Sequence, residues 1–484
     1  MPRAPLRSLA PALLFLSACS SDGGADTTSS GSDSESSTSS PETGTDTGTE
    51  TETGDPETGD DTDGPTLMGE LFCDLGSEPV AGWTRRTVAD DIVGPAFVTV
   101  ADLDGDGKQD LVSSAFGTFG VDGGMVNLSP GTVHVHLQRD DLGCWERIEI
   151  VSEDDGIYFP NETEVADLDG DGDLDIALAS GFFVCAFDAN VGACGGLYVF
   201  ENVGDGFVRH DIVHAGSKFY HRPALVDVDG DGNLDILGGR ETNMGGDLVW
   251  HPGDGALGFA SDPHVIDTVT GTIPDLADID GDGDLDVAAA RFFGVTDELP
   301  GYLWWERTGE PSPAEPAGTW TRHVISFDHG PGIMLRLTDA LVPGKLVAVA
   351  SNHVNQGNAM PDADESAIIL FEPGADPTQP WTSTILSEGI VSVPDEGLSI
   401  ADAPGVFDLG DADQDGDLDV FLSGDGDPRT FWLEQDAGSF TTHVIEDSLA
   451  QAGGGHVVDL DGDGDTDPVF TGYEDDRIYV YERE

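Results

Sequence analysis

Six acidic nonapeptides of the form D-x-D-x-D-G-x-x-D recur along the chain, beginning at Asp102, Asp167, Asp227, Asp278, Asp411 and Asp459. Their starts are 65, 60, 51, 133 and 48 residues apart. The interval of 133 is about twice an ordinary one, and a degenerate seventh copy falls inside it. Asp339-Ala-Leu-Val-Pro-Gly344 keeps the first Asp, the sixth-position Gly and the apolar run that follows, but has lost the other acids. A unit of this length cannot bury its apolar face alone and must stack on neighbours, so the period itself predicts a repeat architecture.

Each unit alternates between short apolar runs and turns. After each acidic loop comes a period-2 segment rich in Val, Ile, Tyr and Trp, such as Leu197-Tyr-Val-Phe200, Tyr302-Leu-Trp-Trp305 or Ile478-Tyr-Val-Tyr481. A second series opens on an aromatic, at Trp83, Trp145, Phe207, Phe259, Trp320, Trp381 and Phe440. Both have seven members. Two-residue alternation of β-branched and aromatic residues means strand, and no window has a sustained 3.6-residue period. With one strand before the acidic loop (A), one after it (B), and the two series as C and D, each unit holds four strands. The expected fold is therefore all-β: a seven-bladed β-propeller of four-stranded blades. The chain starts on an orphan D-type strand at Trp83 and ends on a C-type strand at Ile478–Tyr481. The N-terminal strand is thus expected to complete the last blade and close the ring, which removes two exposed edges.

The acidic loops have the chemistry of calcium ligands. Calcium takes six to eight hard oxygens from a short flexible loop. Positions 1, 3, 5 and 9 would supply carboxylates and position 7 a backbone carbonyl, with Gly at position 6 permitting the turn. The candidate ligands are Asp102, Asp104, Asp106, Lys108 and Asp110 in the first loop, and Asp167, Asp169, Asp171, Asp173 and Asp175 in the second. The third holds Asp227, Asp229, Asp231, Asn233 and Asp235, and the fourth Asp278, Asp280, Asp282, Asp284 and Asp286. The last two hold Asp411, Asp413, Asp415, Asp417 and Asp419, then Asp459, Asp461, Asp463, Asp465 and Asp467. Calcium, in up to six sites, is the expected cofactor. An EF-hand is excluded, because its Glu at position 12 is replaced by Ser113 and Leu178 in the first two loops. Nonapeptide β-helix repeats are excluded because they require back-to-back copies.

The loops and their spacing resemble the FG-GAP/VCBS repeat family, over about residues 83 to 484. Calcium-loop propellers of this kind include the head of integrin α-subunits and many bacterial surface proteins. The resemblance implies that the metal loops join strands A and B on the lower face and are mainly structural. It does not imply integrin-like partner recognition, since a regular Phe-Gly/Gly-Ala-Pro pattern is missing and the unit around Asp339 has no complete loop.

The N-terminus points to an envelope location. Arg3 and Arg7 precede an apolar run from Leu9 to Leu16, too short to span a bilayer. The run ends in Leu16-Ser17-Ala18-Cys19, which resembles a bacterial lipobox, so residues 1–19 are expected to be a lipoprotein signal with Cys19 lipidated. Residues 20–66 hold 13 acids and no Lys, Arg or aromatic, the composition of a disordered, extended linker. Residues 67–484 form the propeller domain. The other cysteines are Cys73, Cys144, Cys185 and Cys194, and four cysteines in a secreted chain allow two disulfides in three connectivities. Cys185 and Cys194 are close in sequence and are paired here, which leaves Cys73 with Cys144.

Function is less legible. A formal net charge of −75 excludes a nucleic-acid binder that works through basic patches. In such a propeller the B–C and D–A loops share the upper face, where a partner would sit. Arg240 and Arg291 occupy equivalent places after strand B, with His221 and His353 near the same face, as a possible ligand site; the alternative is that the arginines pair with surrounding acids. His134 and His136 share one side of a strand and could chelate zinc, but a third ligand is not evident. His210, His264, His323 and His443 recur on strand D and read as packing residues. The function expected is a non-enzymatic calcium-binding module, anchored at the cell envelope through Cys19 alone, that binds an extracellular protein or glycan. The alternative is a carbohydrate lyase or dehydratase with its site on the upper face.

Overall fold

The computed structural model describes residues 69–483, except 123–124, 140, 182–194, 215–217, 243–244, 293, 297, 353–366, 388–404, 425–427 and 450–451. Among these residues the chain is all-β: seven antiparallel sheets arranged as blades in a ring, plus a small hairpin (Phe119–Asp122 with Met125–Leu128) and one 3-10 turn at Glu153–Asp155. No helix of the described residues is long and apolar enough to cross a membrane.

Blade 2 shows the unit plainly. Strand A is Pro160–Ala166, B is Asp175–Ser180, C is Gly196–Asn202 and D is Phe207–Val213, hydrogen-bonded in that order. The same order recurs in blade 4 (Pro274–Ala277, Asp286–Ala290, Tyr302–Gly309, Thr319–Ser326), blade 5 (Gly332–Thr338, Val347–Asn352, Ile368–Glu372, Thr382–Ile385) and blade 6 (Phe407–Gly410, Asp419–Ser423, Thr430–Asp436, Ser439–Glu446). In blade 3 (Ala224–Val226, Asp235–Thr242, Gly245–His251, His264–Asp267) the extra strand Phe219–Tyr220 also pairs with B.

Blades 1 and 7 share the N-terminal segment. Blade 7 takes A, B and C from Ala452–Val458, Asp467–Gly472 and Arg477–Arg483, and its fourth strand is Trp83–Ala89, antiparallel to Arg477–Arg483. Ser77–Val80 adds a fifth strand outside it. Blade 1 consists of Pro95–Ala101, Asp110–Ala115, Thr132–Gln138 and Cys144–Val151. Glu70–Cys73 lies along its outer edge, where Cys73 pairs with Cys144 and the two form a disulfide. Residues 70–89 therefore bind both sides of the seam between the last blade and the first.

The core explains why strands B and C read as almost continuous apolar runs. A sheet covered on both faces needs apolar residues at both parities. The buried residues fall into seven clusters, one for each blade-to-blade contact. Ile176 and Leu178 pack with Val112, Val133 and Val135 of blade 1, whereas the intervening Ala177 and Ala179 pack with Ile236 and Val249 of blade 3. The seam is built likewise, from Val469 and Val480 of blade 7 against Leu111, Ala115 and Trp145 of blade 1.

One strand boundary differs from the sequence expectation. Phe259 does not open strand D of blade 3; it sits in an isolated bridge to Gly253, and the strand starts at His264. The chain passes too close for a side chain at Gly253, where an added Cβ would lie 2.1 Å from the Leu234 carbonyl oxygen.

Candidate metal centres

All six complete acidic loops connect strand A to strand B, so they emerge on one face of the ring. Short-range hydrogen bonds fix their shape before any ligand is considered. The third-position carboxylate accepts the fifth-position N–H, as in Asp104 with Asp106 (3.1 Å) and Asp280 with Asp282 (3.0 Å). The fifth accepts the seventh, as in Asp106 with Lys108 and Asp231 with Asn233 (2.9 and 2.8 Å). The first accepts the N–H of the sixth-position glycine in five loops, for example Asp102 from Gly107 at 3.0 Å. That glycine has a left-handed φ in every complete loop, 89° at Gly107 and 104° at Gly172 for instance. Two successive Asx turns, closed by the first carboxylate on the glycine N–H, thus curl the backbone around its own carboxylates.

The ninth-position Asp has a second task, which the motif alone did not reveal. Asp110, Asp175, Asp235, Asp286, Asp419 and Asp467 are all at most 1% exposed. In each, one carboxylate oxygen accepts the N–H of the second loop residue, such as Leu103 (2.8 Å) or Ile279 (2.9 Å). In five of them the other oxygen accepts an N–H at the end of strand C: Gln138, Asn202, Gly253, Arg307 or Gln435. This Asp therefore staples loop to sheet. Burial pushes the carboxyls of Asp110 and Asp467 up to about 7, and those of Asp235, Asp286 and Asp419 to about 6.

The loops are also latched to the next blade. Asn202 of blade 2 donates through Nδ2 to the Leu103 carbonyl of blade 1 (2.9 Å). Gln138 of blade 1 donates in the same way to the Leu460 carbonyl of blade 7 (3.1 Å), and Arg307 of blade 4 to the Val228 carbonyl of blade 3. Loops 6 and 7 touch directly, through Gln414 to the Gly464 carbonyl and Thr466 to the Asp411 carbonyl (both 2.9 Å).

The donor set suits a hard cation. In blades 1, 2, 3 and 6 the carboxylates at positions 1, 3 and 9 bring one oxygen each within 4.8 Å of one another, and in blade 4 those at positions 1, 3 and 5 do so. Oδ1 of Asp102 and of Asp465 are buried with no hydrogen-bond partner. Burial and the neighbouring Asp463 push Asp465 up to about 6. Carboxylates crowded in this way repel one another until a cation or protons neutralise them.

The loops differ in local charge. In blade 1, Arg139 Nη1 lies 2.6 Å from Asp104 Oδ2 and Lys108 Nζ 3.1 Å from Asp106 Oδ2, so two cations already sit on the acids. In blades 4, 6 and 7 a strand-C glutamate (Glu306, Glu434 or Glu482) adds negative field at the third-position Asp. Glu482 is also paired with Arg86 at 2.5 Å, and in blade 5, where the loop is degenerate, the equivalent Glu372 is paired with Lys345 at 3.0 Å.

The other residues singled out in the sequence have these places. Arg240 pairs with Asp247 (2.9 Å), which Lys218 also contacts. Arg291 is 3% exposed and donates to the carbonyls of Thr270, Leu299, Pro300 and Gly294. His221 is 3% exposed, packs edge-on to Phe97, and is held down to about 3 by burial. The structure therefore sets these groups into the protein rather than around an open pocket. His134 and His136 are buried, with His136 Nε2 on Ser113 Oγ at 2.9 Å and His134 Nε2 3.7 Å from Glu149. The strand-D histidines pack on strand C: His323 stacks on Trp304 and meets Glu306, and His443 does the same with Trp432 and Glu434. Cys19, Cys185, Cys194 and His353 lie outside the described residues.

The FG-GAP-like repeat model matches residues 167–238, 227–289 and 411–470, and each match opens on the first Asp of an acidic loop. The chain carries FG-GAP-like repeats. Solved structures of similar course include an alpha-L-arabinanase of Penicillium chrysogenum complexed with arabinobiose (12% identity, 84% of this chain and 98% of that one, TM-score 0.41). Others are the Dos1 propeller (9%, 83% and 95%, 0.45) and the biofilm matrix protein Bap1 of V. cholerae (12%, 86% and 91%, 0.37). At these scores the likenesses say nothing of what this FG-GAP-like chain does. No curated protein matches it.

Proposed function

We propose that this chain is a calcium-stapled propeller that serves as a binding or scaffold module, held at a bacterial cell envelope by a lipid on Cys19. The observation that carries the metal reading is the doubled role of the loops. Each gathers converging carboxylates, and each is tied by its ninth Asp to its own blade. Those of blades 1, 3 and 7 are tied through a second-position carbonyl to the neighbouring blade. A cation bound there would neutralise the acids and stiffen the contacts between blades. Asp102, Asp104, Asp106, the Lys108 carbonyl and Asp110 would hold it in blade 1, with the matching positions in blades 2, 3, 4, 6 and 7. The charge differences make blade 1 the weakest of these sites and blades 4 and 6 the strongest.

The module reading is supported by the internal use of Arg240, Arg291 and His221, which would otherwise be candidates to clamp an anionic sugar. The carbohydrate lyase or dehydratase is the second reading and rests on the upper face alone. The deciding experiment compares thermal unfolding of the mature chain in chelator and in millimolar calcium. Calcium should raise the midpoint, because it binds only the folded state. An unchanged midpoint removes the metal reading. Glycan-array binding with and without calcium then tests the module, and release of a Cys19→Ala variant from the membrane fraction tests the anchor.

A further inference from the structure

The inner strands enclose a cavity of about 140 Å³ on the ring axis, to which six of the seven blades contribute. Its charged groups come from different blades: Glu162 and Glu164 from blade 2, Arg222 from the lead into strand A of blade 3, Arg336 from blade 5 and His456 from blade 7. Asp408 of blade 6 meets His456 Nδ1 at 3.1 Å. None of these positions belongs to the acidic repeat.

The pairing inside the cavity is incomplete in a specific way. Arg222 spends Nε and Nη2 on Glu164 and has Glu162 at 3.4 Å from Nε, while its Nη1 is buried without a hydrogen-bond partner. Arg336 makes no ion pair or hydrogen bond with any described residue, although its charge is felt by both Glu162 and Asp408. Glu162, 12% exposed, has no closer cation than that 3.4 Å contact. One unpaired guanidinium, that of Arg336, and one carboxylate, that of Glu162, therefore look into the same space with capacity to spare. Side-chain exposures of 12–29% around it mean that solvent reaches the groups. Strand A of blade 7 is bulged here between Gly453 and His456, and Gly454 and Gly455 line the cavity without side chains.

We propose that this axial cavity binds a small zwitterion of the α-amino acid type. Its carboxylate would sit on Arg336 and its ammonium on Glu162. The size fits, since the space takes several water-sized spheres and so admits a solute as small as glycine. The charge also fits. A bare anion would lie beside two carboxylates and a bare cation beside two guanidiniums, and burying an uncompensated charge is costly. A solute that carries both charges meets each lining group with its opposite and adds no net charge. Planar, bidentate recognition of a carboxylate is what a free guanidinium does best.

The test uses the calcium-loaded mature chain and three probes: glycine, and its two halves acetate and methylammonium. Binding is read by equilibrium dialysis of labelled probe up to 10 mM. Glycine is expected to bind at one site per chain, with each half at least tenfold weaker. Arg336→Met and Glu162→Gln should each weaken glycine at least tenfold while the near-ultraviolet circular dichroism stays native. No glycine binding by the wild-type chain overturns the proposal and leaves a water-filled network. Acetate binding as well as glycine overturns the zwitterion in favour of an anion site. Glycine affinity unchanged in a folded Arg336→Met chain places the glycine elsewhere and also overturns it. If Arg336→Met does not fold, the three-probe series on the wild-type chain decides alone.

Discussion

Arg139 should set the calcium affinity of blade 1, and the size of its effect can be worked from the structure. Its Nη1 lies 2.6 Å from Asp104 Oδ2, and it also reaches Glu146 at 2.8 Å. An ion held by the other Asp104 oxygen at about 2.4 Å would sit roughly 5 Å from the guanidinium. Charges of +1 and +2 at that distance repel by about 1.7 kcal/mol even at the dielectric constant of water. Replacing Arg139 with Gln should therefore tighten the blade 1 site about tenfold or more, since each 1.4 kcal/mol is a factor of ten. In chelator the same variant should be slightly less stable, by about 0.5–1 kcal/mol, because it loses two part-exposed ion pairs. Calcium titration by calorimetry reads the first effect and urea unfolding in chelator the second. Repeating the titration in an Asp104→Ala background closes a double-mutant cycle, in which the Arg139 effect should vanish. An Arg139→Gln chain with unchanged calcium binding, or an effect that survives the loss of Asp104, would refute the reasoning.

Three further outcomes are expected. Breaking Cys73–Cys144, which closes a 71-residue separation at the ring seam, should cost about 2–4 kcal/mol by urea unfolding, and an unchanged midpoint in reductant would mean that strand pairing holds the seam alone. Asn202→Ala should destabilise by about 1–3 kcal/mol, because it strands the buried Leu103 carbonyl of the neighbouring blade; a neutral result would show the latch to be replaced by water. His221 is held well below its usual value by burial, so the folded state keeps it neutral where the unfolded chain would protonate it. Its contribution is complete above about pH 6.5 and is lost as pH falls toward the folded value. The stability of His221→Gln relative to wild type should therefore shift in the variant's favour by about 2–3 kcal/mol between pH 7 and 4.5, and a flat difference profile would contradict it.

The sequence by itself determined the architecture and the chemistry of the loops. A nonapeptide that repeats seven times, once in degenerate form, counts the blades. Period-2 runs of Val, Ile and aromatic residues identify the strands, because both properties are local and survive projection onto one dimension. Asp104 and Asp106 are recognisable for the same reason, since Asx turns two residues long set their place in the loop. Tertiary structure alone decided what depends on partners distant in sequence. It gave Asp110 its second role, because Gln138, which donates to it, is 28 residues away. It assigned Arg139 to Asp104 and set Glu306 and Glu434 beside the loops of blades 4 and 6, which makes nominally identical loops unequal. It turned Arg291 and His221 inward, which no composition argument could foresee, because burial belongs to the packed ring and not to the residue. It also brought Glu162, Arg222, Arg336 and His456 around one axial space, although they are spread over more than 200 positions of sequence. Ring closure puts the inner strands of all the blades around one axis, so groups that no motif links become neighbours only when the last blade meets the first.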